Sequence, residues 1–236
     1  FVLPLLLVLG LTFLLMLFRA GRTRDAALLI VLMGIMSVTA TSELGTQQWV
    51  DRILGAQLGG IPGQAMIVLG MVTGIMAVGR YFAGPLIHAL NPLGVLLMSA
   101  VLTTLGLFLM SSASGAMVYV SAIVFAVGVC YFWPTMIGVT AQYVPRSGAL
   151  GMSLVGAAGM FALTIWIPII GGWIDGARAA AEAEGLTGNA VEVAAGQGAL
   201  SQLVYFPVSL IVVFAALYMA RNWIKATSGE DAKQAH

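Results

Sequence analysis

Between Thr39 and Trp49 the chain reads Thr-Ala-Thr-Ser-Glu-Leu-Gly-Thr-Gln-Gln-Trp, directly after an apolar run from Ala26 to Ala40. At helical spacing Thr39, Ser42, Glu43, Thr46 and Gln47 line one face of an otherwise apolar rod. Lipid cannot satisfy the hydrogen bonds of such a stripe, so it must face protein or water. Glu43 is the only carboxylate placed where it could lie at membrane depth. In a partly desolvated, outward-facing cavity such a group trades a proton or binds a hydroxyl. Counting about 1.5 Å per residue from Asp25 puts it roughly 27 Å along the helix. That depth leaves a second reading open, an interfacial glutamate beside the outer headgroups. Gln47, Gln48 and Trp49 add amide donors and acceptors beside an aromatic plane, a set that suits sugars and other neutral polar solutes. The same three residues equally suit a belt tryptophan with two solvated glutamines.

A second group is Tyr131, Trp133, Pro134 and Thr135. Proline removes a backbone hydrogen bond and bends a helix, and Thr135 follows Tyr131 by one turn. The expectation is a bend that turns Tyr131 and Thr135 toward a central cavity, with core packing of the rings as the alternative. Trp166 with Pro168 is a weaker copy, and Trp173 and Asp175 are expected to close their helix at the outer surface. Of the two histidines, His88 falls in a loop and His236 ends the tail, and neither has metal-ligand company. No metal, cofactor or nucleic-acid partner is expected.

The elements that must hold these residues are membrane helices. The 236 residues are 60% hydrophobic and 8% charged, with a mean hydropathy of +1.01. A soluble domain could not keep so much apolar surface from water. Seven segments are long enough to cross a bilayer: 1–18, 26–46, 61–79, 93–111, 116–136, 148–172 and 203–220. The breaks carry loop chemistry at 19–25, 59–62, 91–92, 111–115 and 144–146, and over a long Ala/Gly/Glu-rich stretch from Gly176 to Ser201. No segment alternates as a strand does, so the fold is all-α. The lone Cys130 excludes an internal disulfide. A chain that begins at Phe1 inside an apolar run is expected to belong to a longer protein.

If the first span ends in the cytoplasm, the inner side holds Arg19, Arg22, Arg24, Arg80, Arg146, Arg221, Lys225 and Lys233, eight of the ten basic residues. Only Arg52 and Arg178 fall outside, near Asp175, Glu182, Glu184 and Glu192. The bias makes the carboxyl terminus cytoplasmic. Gly70 and Gly74, and Gly148, Gly151, Ser153, Gly156 and Gly159, are expected to let helices approach closely.

Two stretches resemble a known family. Gly79-Arg80-Tyr81-Phe82-Ala83-Gly84-Pro85-Leu86-Ile87-His88 is similar to the short cytoplasmic loop between the eighth and ninth helices of major facilitator superfamily transporters. Gly128-Val129-Cys130-Tyr131-Phe132-Trp133-Pro134-Thr135, with Tyr143-Val144-Pro145-Arg146 and the glycine-rich sixth span, resembles their tenth and eleventh helices. In the loop motif Gly-x-Leu-x-Asp-Arg-x-Gly, Gly84 and Leu86 match, whereas His88, Ala89 and Asn91 replace the acid, the arginine and the last glycine.

The resemblance covers nearly the whole chain and implies one half of that fold, nearest the sugar-porter branch. Residues 1–24 would be the last helix of the preceding half with its connection, 25–222 the carboxy-terminal six-helix bundle and 223–236 a cytoplasmic tail. It implies a secondary transporter of the cell membrane, in a bacterium the inner membrane, that moves a small neutral polar solute by alternating access. Protons or sodium would drive it, and the bilayer and the amino-terminal half would be its partners. Thr39, Glu43, Gln47, Gln48, Trp49, Tyr131, Trp133 and Thr135 would meet the solute, Glu43 would couple the ion, and Gly79, Arg80 and Gly84 would form a gating loop. The rivals are a non-catalytic membrane subunit and a rhomboid-type intramembrane serine protease built on Ser153. The protease needs a histidine beside its serine, and the sequence offers only His88 and His236.

Overall fold

The computed structural model describes residues 23–59 and 63–233, and every regular element among them is helical. The first helix, α1 (Thr23–Ala40), runs into a π-helical turn (Thr41–Gly45) and a last α turn (Thr46–Gln48). A short α2 (Val50–Leu54) follows, then α3 (Gln64–Tyr81), α4 (Ala83–Ser112), α5 (Ala116–Val129) and α6 (Phe132–Tyr143). After a 3-10 turn (Pro145–Ser147) come α7 (Gly148–Ala183), α8 (Asn189–Leu203) and α9 (Tyr205–Lys233). Six stretches are long and apolar enough to cross a bilayer: Asp25–Gln48, Gln64–Tyr81, Ala89–Ser112, Ala116–Tyr143, Pro145–Ala183 and Asn189–Ala220. The chain is therefore a multi-pass helical membrane protein. These six answer to the second through seventh expected spans, and the first, 1–18, lies outside the described residues.

Several boundaries differ from expectation. The stretch from Gly176 to Ser201 is not a loop: α7 continues to Ala183 and α8 begins at Asn189, with a turn at Gly185 and Gly188 where φ is 85° and 59°. Low hydropathy suggested a loop, but alanine is the strongest helix former whatever its hydropathy. Trp173 and Asp175 consequently do not end their helix. The 36 residues of α7 rise about 54 Å, far more than the roughly 30 Å hydrocarbon core. The rod does break at Asn91-Pro92 as expected, but His88 lies in the helical turns before the break and not in a loop. Asn91, at φ 55° and ψ 162°, accepts the Gly94 N–H at 3.1 Å, so Asn91 caps the span and Pro92 takes its first helical position.

Packing follows the small residues, though not chiefly those expected. The long α1 lies on α7, where Gly159 faces Ala40 and Met36, and Gly45 faces Ile170. Close contacts join α4 to α5: a Cβ on Gly106 would meet the Phe125 backbone, and one on Gly128 the Thr103 backbone. Gly196 of α8 sits against the Ile53 carbonyl of α2 in the same way. Gly70 and Gly74 have nothing within 4 Å and lie on the exposed side of α3. Phe125, Phe132, Phe214, Met36, Leu96 and Ile170 fill the interior.

Candidate functional site

Glu43 sits inside the π turn and is 2% exposed, so neighbouring helices cover its carboxylate. Arg52, in the separate short α2, pairs with Asp175 at 3.6 Å. A π turn inserts one extra residue, widens the helix locally and re-aims its side chains. Here it directs Glu43 across to α3, where the Arg80 Nη2 donates to Oε1 at 2.8 Å. The second oxygen, Oε2, is buried without a hydrogen-bond partner.

Arg80 is in the last turn of α3, not in a loop. Its Nε donates to the Cys130 carbonyl at 2.9 Å. That carbonyl is free for a local reason: Pro134, four residues on, has no N–H to return. The rod breaks at this point, with α5 ending at Val129, Tyr131 at φ −101° and ψ −4°, and α6 starting at Phe132. Neighbouring Gly79 lets α3 come close, since a Cβ there would lie 2.6 Å from the Cys130 Sγ and 3.4 Å from the Tyr131 hydroxyl.

The structure thus gathers Glu43, Gly79, Arg80 and Tyr131 at one place and sends the other candidates elsewhere. Thr39, Ser42 and Thr46 donate to the Ile35, Val38 and Ser42 carbonyls at 2.7, 2.9 and 3.4 Å, so their protons stay on their own helix. Gln47 reaches the Met76 sulfur at 3.5 Å and Gln48 is exposed. Beside Gln47, Thr46, Val68, Val72 and Phe125 line a crevice of about 10 Å³, room for one water. Trp49 donates to the Ile167 carbonyl at 3.1 Å and packs on Gly171, and Trp133 packs on Gly159. Both indoles therefore belong to the contact with α7. Thr135 is buried with its hydroxyl unpartnered, and Gly84 lies exposed in the first turns of α4. Pro168 leaves α7 unbroken, unlike Pro134.

Sequence reasoning missed the Cys130 carbonyl and its link to Arg80. The signal was present: a proline inside a span marks the carbonyl four residues earlier as unclaimed, and Arg80 is the one cation ending a nearby apolar helix. At the far end of the bundle Arg178 grips Glu192 with two bonds of 2.8 and 2.7 Å and Asp175 with one of 3.1 Å, tying α7 to α8. The fold and the ion pair define a polytopic helical membrane protein in which, among the described residues, Glu43 is the one buried charged side chain. No family model, curated protein or solved structure matches this chain.

Proposed function

We propose that this chain is the carboxy-terminal half of a secondary transporter of the major facilitator type, moving a small neutral polar solute such as a sugar by alternating access. The observation that carries the proposal is the Glu43–Arg80 pair, a buried carboxylate held by a partly exposed arginine in a six-span bundle and placed at two breaks in helical regularity. Ionisable groups inside a membrane bundle are expensive and mark functional paths by default. As a pair the two charges cancel, which favours an uncharged solute over an ion. The free Oε2 of Glu43 and the unused N–H groups of Arg80 offer an acceptor and donors to neighbouring hydroxyls. Tyr131 adds a polar edge, and the amino-terminal half supplies the facing wall. Coupling through Glu43 suits a proton better than sodium, because a metal cation at Oε2 would stand beside a fixed guanidinium.

The test is uptake of a labelled panel of sugars and polyols by liposomes holding the full-length transporter. Glu43→Ala and Arg80→Ala should each slow uptake about 10- to 100-fold, the range for losing a hydrogen bond to a charged group. Ser153→Ala, at an exposed position of α7, should leave it unchanged. Uptake of nothing in the panel, or full uptake by Glu43→Ala, contradicts the proposal.

A further inference from the structure

The Arg80 guanidinium has two acceptors, and each belongs to a different helix irregularity. Nη2 holds Glu43 Oε1 in the π turn of α1, and Nε holds the carbonyl that Pro134 leaves without a donor at the break between α5 and α6. The Cys130 Sγ faces the Met76 carbonyl of α3 at 3.4 Å, so α3 is fastened to the break on both sides of Gly79. Both irregularities can change geometry at low cost, since a π turn can shift along its helix and a proline break can flex. One side chain therefore fixes the relation between them.

We infer that Arg80 is a positioning residue that ties the state of Glu43 to the angle between α5 and α6. This rests on Glu43 being the solute- and proton-facing group proposed above. While Glu43 is ionised, a charge-assisted bond holds the guanidinium and keeps Nε on the Cys130 carbonyl. A proton on Oε2, the oxygen without a partner, leaves a neutral acceptor and a weaker bond. The Arg80 side chain is 39% exposed and then turns outward, the Cys130 carbonyl loses its donor, and the break relaxes. The other titratable groups at the junction are the Cys130 thiol and the Tyr131 phenol. On α7 the first charged residue is Asp175, far along the helix, and the described side chains of α9 include none.

Nitroxides on Val120→Cys and Gln142→Cys, both exposed, report the angle in the full-length protein. A Cys130→Ala background keeps the carbonyl that matters. A relaxation of about 10° over the 12 residues of α6 moves its end by about 3 Å. Glu43→Gln and Arg80→Gln should both shift or widen the distance by that amount, in the same direction, and the double variant should add nothing. Arg80→Lys keeps the charge but loses the fork, so it should fall with the other two; it and Glu43→Gln carry the test if Arg80→Gln does not fold. Distances equal to the parent's in these variants overturn the link. A shift with normal transport by Glu43→Gln upholds the link and removes the transport role of Glu43. Lost transport with an unchanged distance does the reverse.

Discussion

Replacing Arg80 by leucine leaves a carboxylate that is 3% exposed without its cation. Removing one partner of a fully buried pair costs about 3–5 kcal/mol. Arg80 is 39% exposed, so solvent already screens part of the attraction, and about 2–3 kcal/mol is the expected loss. Glu43→Leu should cost only about 1 kcal/mol, because the freed guanidinium can reach water while keeping the Cys130 carbonyl. The double variant Glu43→Leu/Arg80→Leu leaves no buried charge, so it should be more stable than Arg80→Leu alone. With roughly 2–4 °C of Tm for each kcal/mol in a chain of this size, Arg80→Leu should melt about 4–12 °C below the parent. Scanning fluorimetry of the purified protein in detergent reads all four. The reasoning fails if Glu43→Leu is the more damaging single change, or if the two losses simply add in the double variant.

Glycine substitutions should follow the packing and not the motif spacing. Gly106→Val forces α4 off the Phe125 backbone and should lose about 3 kcal/mol or the fold itself, whereas Gly70→Ala, with open space around it, should stay within about 0.5 kcal/mol of the parent or gain from helix propensity. Arg178→Ala breaks the clamp between α7 and α8; its loss should be about 1 kcal/mol and shrink in high salt, because these charges are partly exposed. In intact cells an impermeant thiol reagent should modify Glu184→Cys but not Arg146→Cys, which lie at opposite ends of α7. The reverse pattern would invert the topology inferred from the basic residues.

Hydropathy and helix breakers made the spans legible: Ala113 is extended and Gly115 has φ 57° where the sequence marks a break, and Pro145 sits in the short turn between α6 and α7. The polar stripe was also legible, and so was a break in the rod at Pro134. The extension of α7 and the whole of α8 were not, since an Ala/Glu/Gly-rich helix that packs through Val191, Ala195 and Ala199 has no apolar excess to announce it. Nor was the partner of Glu43. Counting along α1 alone gives a depth, but the offset that slides α3 until Arg80 reaches the π turn is set by contacts between helices, among them Gly79 against Cys130. The back-bonding of Thr39 and Ser42 likewise depends on side-chain geometry that composition does not encode.

The transport role proposed for Glu43 is tested most directly by separating exchange from accumulation in liposomes that hold the full-length protein. Glu43→Gln keeps the shape and much of the hydrogen bonding but removes the group that would carry a proton. Solute exchange at equal concentrations should persist in Glu43→Gln, while accumulation driven by an imposed pH gradient should fail. Parent-like accumulation by Glu43→Gln, with exchange equally intact, would contradict the account.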